Sequence, residues 1–264
     1  MASVASREIE VEGRPARVWV GGAGAPLLLL HGGVGPADLH WRGVWGDLAE
    51  TFHLIAPDFP GFGGTAPIPG ASFARMTSWV AALLDALAIS RAAVVGNSFG
   101  AAVARFFGAA YPERTSQVVL VNGGAAPPIP AFVGKLMTAR IFDGMFESIR
   151  KRTFTAEGLS KMIADPALLT PAFVRESEEA SQGFVRAMRE AGTAGLPAAQ
   201  TPKAPTLVVW GMSDRLVKPK VGEKLCAEIP GARFHGIDGG GHMPQLERPA
   251  EFTAILREFC GEPR

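Results

Sequence analysis

A serine between two glycines is the residue in this sequence best placed for nucleophilic chemistry. Residues 96–100 read Gly-Asn-Ser-Phe-Gly, after an apolar run that ends at Val95 and before a helical pattern that begins near Ala101. A serine hydroxyl is a poor nucleophile alone, so it needs a neighbouring base and an exposed, fixed position. A tight strand-to-helix turn supplies that position, and the helix N-terminus directs backbone N–H groups at developing negative charge. The spacing therefore predicts Ser98 as a nucleophile.

The base that activates a serine is most often a histidine, and His242 has the best position for that role. It follows three glycines on a loop directly after the predicted strand 233–237. The carboxyl ends of strands form the edge where open parallel sheets bind their ligands. His31 also follows a predicted strand, but it opens the glycine-rich loop 31–35, which we expect it to support by packing and hydrogen bonding. The other histidines lie within helix or strand patterns, where packing or surface exposure is expected: His40, His53 and His235.

Three carboxylates are candidates for orienting His242. Asp214 follows a predicted strand, and its position keeps the chain order of serine, acid and histidine, which favours it. Asp238 is closer in sequence, but it lies only four residues before the histidine, at the end of the same strand. Asp58 also ends a predicted strand and is expected to stabilise the turn that follows. The predicted triad is Ser98, His242 and Asp214.

A developing oxyanion needs two hydrogen-bond donors. One is the backbone N–H of Phe99, the residue after the predicted nucleophile. The other is expected from the loop after the predicted strand 27–30, where Gly33 lets the backbone approach a substrate closely. We therefore expect Phe99 and Gly33 to form the oxyanion hole.

Short apolar runs alternate with helical patterns along most of the chain, which places these residues at one sheet edge. The predicted strands are 7–12, 16–20, 27–30, 53–56, 92–95, 118–121, 206–210 and 233–237. The predicted helices include 73–89, with Ser72 as its N-cap, 101–111 and 249–259. Strands that alternate with helices of this length form right-handed βαβ units, so the predicted fold class is α/β with a mostly parallel sheet.

The alternation stops between residues 125 and 200, where prolines and glycines separate several short helical patterns. This stretch is too long for a simple loop, so we expect a helical insertion there, on a core domain formed by residues 1–124 and 201–264. Candidates for an apolar substrate pocket come from the insertion and from the residue after His242: Phe132, Met137, Phe142, Met145, Phe146 and Met243. The alternative is that these side chains only pack the insertion onto the core.

Composition argues against several other classes of function. The chain has 264 residues, 47% of them hydrophobic, a formal net charge of +1 and two distant cysteines. We expect a globular protein without nucleic acid as a partner, a disulfide framework or a metal site. No segment resembles a membrane span or a signal peptide, so a cytoplasmic location is expected. No cofactor motif is present, and the expected partner is a small-molecule substrate bound by a monomer or homodimer.

With these motifs, the chain resembles the serine hydrolases of the α/β-hydrolase fold. The segments that carry the resemblance are 31–33, 58–63, 96–100, 111–114, 211–214, 241–244 and 247–249. The resemblance implies an eight-stranded, mostly parallel sheet flanked by helices, with a helical cap in the insertion. It also implies an acyl-enzyme on Ser98, since dehalogenases and epoxide hydrolases of this fold have an aspartate there. Hydrolysis of a carboxylic ester of a small, largely apolar molecule is the expected reaction.

Other activities stay open within this resemblance. The sequence 97–100 is typical of hydrolases that cleave carbon–carbon bonds in aromatic ring-fission products, which are vinylogous 1,5-diketones. Two residues depart from that branch: Met243 follows the histidine where tryptophan is common, and Ala101 replaces a frequent glycine. Some proteins of this fold retain the triad as ligand receptors, and others are cofactor-free lyases. Because one fold hosts many chemistries, the site must decide between them.

Overall fold

The computed structural model describes residues 3–125, 135, 143–193 and 201–261 of the chain. Its centre is one eight-stranded sheet with the strand order β1-β2-β4-β3-β5-β6-β7-β8. The strands are β1 Val4–Val11, β2 Arg14–Gly21, β3 Ala25–Leu30, β4 Phe52–Pro57, β5 Ala92–Asn97, β6 Thr115–Val121, β7 Thr206–Gly211 and β8 Arg233–Ile237. The β1–β2 and β2–β4 pairs are antiparallel, and the other neighbouring pairs are parallel.

Helices cover both faces of this sheet. The helices in the described part of the chain are α1 Ala37–Trp41, α2 Trp45–Ala49, α3 Phe73–Ala86, α4 Phe99–Ala110, α5 Asp143–Thr153, α6 Ala156–Leu159, α7 Pro171–Thr193, α8 Pro219–Glu228, α9 Pro244–Glu247 and α10 Pro249–Cys260. Successive side chains of a strand point to opposite faces, so Leu28 and Leu30 of β3 pack with α3 and α4, and Leu27 and Leu29 pack with α2 and α10. The predicted fold class, α/β with a mostly parallel sheet flanked by helices, is confirmed.

Parallel pairing brings the carboxyl ends of four strands to one edge of the sheet. Leu30 of β3 pairs with Gly96 of β5, and Val121 of β6 pairs with Asn97 of β5 and with Val209 of β7. The chain leaves these strands at His31, Ser98, Asn122 and Met212. Ser98 therefore lies directly after β5, and Asp214 and His242 lie in the loops that follow β7 and β8 at the same edge.

The helix α3 shows how far local sequence determines an element. It begins where predicted, because the Ser72 side chain accepts a hydrogen bond from the Arg75 N–H at 3.1 Å. The prediction of a helix over 73–89 is three residues too long. The chain leaves helical geometry after Ala86, and Ala88 has a positive φ of 56°.

Between β6 and β7, the described residues form α5, α6, α7 and a 3-10 turn at Pro166–Leu168, without a strand among them. Besides the apolar side chains on the two faces of the sheet, a separate apolar cluster joins this part of the chain to the core. It contains Val34, Leu39 and Met243 of the core and Phe154, Leu159, Met162, Ile163 and Phe173 of the insertion. None of the described helices is long and apolar enough to cross a membrane.

Candidate active site

Ser98 occupies a sharp turn between β5 and α4. Its backbone has φ 54° and ψ −111°, a conformation that residues with a side chain rarely adopt. Glycines permit the turn, since a Cβ on Gly96 would overlap the Gly100 carbonyl, and a Cβ on Gly100 would overlap the Leu30 carbonyl. The Ser98 side chain is half-buried and makes no capping hydrogen bond to α4. The turn thus presents the hydroxyl at the sheet edge.

Ser98, His242 and Asp214 form a hydrogen-bonded series. His242 Nε2 lies 2.9 Å from Ser98 Oγ, and His242 Nδ1 lies 2.7 Å from Asp214 Oδ2. Because a carboxylate only accepts hydrogen bonds, His242 carries its proton on Nδ1, and Nε2 can accept the hydroxyl proton of Ser98. His242 and Asp214 are both 2% exposed. The structure therefore brings together the three residues that the sequence predicts as a triad.

Hydrogen-bond donors surround the Asp214 carboxylate. Oδ1 accepts the backbone N–H groups of Leu216 at 2.8 Å and Val217 at 2.9 Å, and Oδ2 accepts Asn122 Nδ2 at 2.7 Å as well as His242. Burial raises the pKa of Asp214, but the hydrogen bonds from His242, Val217 and Asn122 outweigh burial and hold this pKa below its usual value. The carboxylate is therefore charged at neutral pH and can orient the imidazole.

Sequence patterns alone do not identify Asn122 as a site residue. It follows β6, is fully buried and has a positive φ of 45°. Its Nδ2 donates to Asp214 Oδ2 and, at 3.2 Å, to the Gly241 carbonyl, and its Oδ1 accepts the Gly211 N–H at 3.0 Å. One amide thus joins the loops that carry the acid and the histidine. The sequence feature that indicates a special role for Asn122 is its place at a strand end before two glycines. Asparagine tolerates positive φ, so it can occupy a sharp turn there.

The other two carboxylates weighed for this role lie elsewhere. Asp238 follows β8 and is exposed. Asp58 is fully buried, and its oxygens accept Arg17 Nε at 2.5 Å, the Gly64 N–H at 3.0 Å and the Ala37 N–H at 2.9 Å. Asp58 therefore ties the turn after β4 to the start of α1, the stabilising role expected for it.

His31 supports the loop that holds Gly33. Its Nε2 accepts the Phe59 N–H at 2.8 Å, so its proton is on Nδ1, which donates to the Gly32 carbonyl at 2.7 Å. Burial lowers the pKa of His31 to about 4, although Asp58 opposes this shift. The ring is therefore neutral at physiological pH, and its two hydrogen bonds hold the loop of Gly33 against the turn after β4.

The two expected oxyanion donors lie on the elements that flank Ser98. Phe99 is the first residue of α4, so its N–H has no acceptor within the helix. Gly33 is buried in the loop after β3. A Cβ on Gly33 would overlap the ring of Phe184 on α7, so glycine here lets the insertion pack directly on the loop. The ring of Phe154 in turn lies 6.1 Å from the Phe184 ring, centroid to centroid.

Glu247 of α9 is a second residue whose role the sequence patterns do not reveal. Its Oε1 accepts the Gly241 N–H at 2.9 Å, and its Oε2 accepts the N–H groups of Ala164 at 2.7 Å and Asp165 at 3.0 Å. Burial raises the pKa of this carboxyl, although these backbone donors lower it. The His242 N–H also donates to the insertion, at Met162. Glu247 therefore joins the histidine loop to the insertion.

Two buried polar atoms behind the nucleophile have no hydrogen-bond partner within the described part of the chain: His40 Nε2 and Asn97 Oδ1. A Cβ on Gly32 would lie 2.9 Å from the first and 3.2 Å from the second. Asn97 Nδ2 donates to the carbonyls of His242 at 3.0 Å and Val121 at 3.2 Å. Burial lowers the pKa of His40 well below its ordinary value, so this ring is neutral.

The candidate pocket residues are only partly covered by the structure. Phe132, Met137 and Phe142 lie outside the described residues. Met145 and Phe146 lie in α5, and their side chains are also outside the description. Met243 is fully buried in the apolar cluster between core and insertion. Among the described apolar side chains, Phe184 packs on Gly33, and Phe154 and Phe173 belong to the cluster that contains Val34 of the same loop.

Comparisons with known proteins show the family to which this chain belongs. A family model described as Alpha/beta hydrolase family matches residues 27–255. A 2-hydroxy-6-oxo-6-phenylhexa-2,4-dienoate hydrolase of Burkholderia cepacia is 30% identical over 262 residues, which cover 90% of this chain and 88% of that protein.

Two solved structures are similar to this chain over nearly its whole length. A meta-cleavage product hydrolase from Pseudomonas fluorescens IP01 is 26% identical, with a TM-score of 0.77 and 97% of each chain covered. A thermophilic esterase from Thermogutta terrifontis is also 26% identical, with a TM-score of 0.77, 97% of this chain and 98% of that chain covered. The family match includes Ser98, Asp214 and His242 and most of the sheet. The chain belongs to the alpha/beta hydrolase family.

Proposed function

We propose that this protein is a serine hydrolase that cleaves a carbon–carbon bond in an aromatic ring-fission product, a vinylogous 1,5-diketone. The observation that carries the proposal is the 30% identity, over 90% of the chain, to a 2-hydroxy-6-oxo-6-phenylhexa-2,4-dienoate hydrolase. Two features support it: the hydrogen-bonded Ser98, His242 and Asp214, and the sequence 97–100, which is typical of such hydrolases.

In the first proposed step, Ser98 Oγ attacks the substrate ketone while His242 Nε2 takes the hydroxyl proton. The charged Asp214 stabilises the imidazolium that forms and keeps its orientation. The N–H groups of Phe99 and Gly33 donate to the oxyanion. Donors that are fixed before the reaction cost no reorganisation when the negative charge develops.

In the second step, the tetrahedral intermediate collapses and the carbon–carbon bond breaks. The 2-hydroxydienoate reaches this step as its diketo tautomer, after its enol proton has moved to C5. The electron pair of the C5–C6 bond then passes through the C3–C4 double bond to the C2 carbonyl oxygen, which takes the proton held by His242. The other fragment remains as an ester on Ser98. Water, deprotonated by His242, then hydrolyses this ester and releases a carboxylic acid. One water is consumed, and the broken bond is replaced by one C–O and one C–H bond.

Hydrolysis of a carboxylic ester is the second candidate. The similarity to a thermophilic esterase favours it, as does Met243, which stands where tryptophan is common in the carbon–carbon hydrolases. The same residues would act in the same order, with an alkoxide in place of the carbanion as the leaving group. Only the leaving group and the pocket distinguish the two reactions.

Steady-state kinetics with two substrates tests the proposal. We expect kcat/KM for 2-hydroxy-6-oxo-6-phenylhexa-2,4-dienoate to exceed that for p-nitrophenyl butyrate by at least tenfold. Ser98→Ala should reduce both by more than roughly 1000-fold. The opposite preference would make ester hydrolysis the function. Labelling of Ser98 in a single turnover, without further turnover of either compound, would indicate a ligand receptor.

A further inference from the structure

One serine on the face of α7 that carries Phe173 and Phe184 lacks a hydrogen-bond partner among the described residues. Ser177 is 0% exposed, and its Oγ makes no hydrogen bond within the described part of the chain. A buried hydroxyl without a partner destabilises a fold, so such groups are rare in native proteins. The proposed reaction involves no atom of this side chain, so its position needs another explanation.

The helical repeat places Ser177 over the oxyanion loop. Residues four and seven apart on a helix share a face, so Ser177 lies between Phe173 and Phe184. The Phe184 ring packs directly on Gly33. Phe173 belongs to the apolar cluster that contains Val34, the next residue of the same loop. Ser177 therefore lies on the face of α7 that packs against the loop that would bind the reacting carbonyl.

Charge near this position favours a neutral binding partner. A cleft of about 270 Å³ between α7 and the start of α1 is lined by Asp38, Glu176 and Glu179. Among the described residues, only Arg42 forms an ion pair with one of these carboxylates, at 3.0 Å from Glu176. Ser177 does not line this cleft, but Glu176 precedes it in the helix, so these carboxylates would repel an anionic group that binds along α7, whereas they would not repel a carbonyl or hydroxyl oxygen.

We propose that Ser177 is a specificity-determining residue whose Oγ hydrogen-bonds a neutral carbonyl or hydroxyl oxygen on the substrate chain. The inference rests on the proposed hydrolysis at Ser98, but not on whether the bond cleaved is carbon–carbon or ester. It places a polar contact between the apolar rings of Phe173 and Phe184. A substrate with that oxygen supplies the partner that the free protein lacks.

Ser181, one turn further along α7, is a matched control. It is also 0% exposed, but its Oγ accepts Arg150 Nη1 at 2.8 Å and donates to the Glu178 carbonyl. Removal of the Ser181 hydroxyl leaves a buried guanidinium without one of its acceptors. Removal of the Ser177 hydroxyl breaks no hydrogen bond within the described part of the chain. The two alanine variants should therefore have opposite effects on stability and on specificity.

The test uses p-nitrophenyl esters that differ in one group: pentanoate, 4-oxopentanoate and hemisuccinate, with hexanoate, 5-oxohexanoate and hemiglutarate to move that group by one methylene. We expect the wild-type protein to prefer the oxo ester over the matched alkanoate by at least fivefold in kcat/KM at one chain length. In Ser177→Ala this ratio should fall below twofold, with the alkanoate unchanged and Tm not lowered. In Ser181→Ala the ratio should persist while Tm falls.

Binding of the same esters to Ser98→Ala, with and without Ser177→Ala, gives the ratio independently of turnover. Equal affinity for oxo esters and alkanoates at both lengths, or a ratio that survives Ser177→Ala, would overturn the proposal. A Ser177-dependent preference for the hemisuccinate or hemiglutarate would overturn the assignment to a neutral oxygen. Failure of the carbon–carbon reaction alone would appear as absent cleavage of the dienoate, with the ester ratios intact.

Discussion

The two sides of the proposed active site differ in how completely their polar groups are paired. On the core side, the His242 ring, the Asp214 carboxylate and the Asn122 amide bond one another and the neighbouring backbone. On the side of the insertion, α7 presents apolar rings and the hydroxyl of Ser177, which has no partner among the residues that the structure describes. A fully paired network holds one geometry, whereas a mostly apolar wall can change without disturbing it. We expect the core side to determine the reaction and the insertion to select the substrate.

We expect the largest effect on kcat from a substitution of Asp214, the acid on the core side. Asp214→Asn keeps the shape of the side chain but removes the charge that fixes the His242 tautomer, so we expect kcat to fall by roughly 10⁴-fold. Circular dichroism should show an unchanged fold. Asp238→Asn is the control, because Asp238 is exposed at the end of the neighbouring strand. A normal rate in Asp214→Asn, with loss in Asp238→Asn, would move the acid to Asp238.

The core side should also be sensitive to acid through His31. The folded state holds this ring neutral with a pKa of about 4, whereas the unfolded chain binds a proton below about pH 6.5. The contribution of His31 to stability is therefore complete above pH 6.5 and falls as the pH decreases towards 4, by about 1.4 kcal/mol per pH unit, and the neutral ring of His40 adds a slope of the same sign. Urea unfolding between pH 4.5 and 7.5 measures this slope. His31→Gln should reduce it, and an unchanged slope in that variant would exclude His31 as the source.

A smaller effect should come from the amide that supports the acid. Asn122→Gly keeps the positive φ accessible but removes the donor to Asp214 Oδ2 and the bond to the Gly241 carbonyl. We expect kcat to fall about 10- to 30-fold with little change in KM, measured on the better of the two substrates. Because Asn122 lies beside Asp214, the double variant Asn122→Asp with Asp214→Asn should recover part of the activity that Asp214→Asn loses. A kcat within twofold of the wild-type value in Asn122→Gly would show that the backbone donors to Asp214 suffice.

The core side was largely predictable from the sequence, because its catalytic residues lie just after the ends of predicted strands. Ser98, Asp214 and His242 each follow an apolar run, and parallel pairing brings such ends to one edge. Asn122 and Glu247 were not predictable in the same way. Their roles depend on side-chain contacts between segments far apart in the chain, and neither residue type at its position implies those contacts.

The insertion was less accessible to sequence reasoning. Its helical character was predictable from the missing strand pattern, but the contacts of its apolar residues were not. Phe184 and Phe173, which approach the loop of Gly33, were absent from the predicted pocket residues. The spacing of apolar residues on a helix identifies a buried face, but it does not show which core segment that face covers. Element bounds were predicted within a few residues, and α3 ended early because Ala88 adopts a positive φ.

Glu247 links the two sides of the site, because it accepts hydrogen bonds from Gly241 on the core side and from Ala164 in the insertion. Its substitution therefore tests whether the two sides depend on each other. Glu247→Gln keeps the shape but replaces one acceptor oxygen by an amide that cannot accept from Gly241 or from Ala164 and Asp165. We expect a three- to tenfold fall in kcat/KM, and faster proteolytic cleavage within the insertion than in the wild-type protein. Glu258→Gln, at an exposed position of α10, is the control and should change neither. If Glu247→Gln slows the reaction without loosening the insertion, Glu247 acts on the histidine loop alone, and the two sides of the site are independent.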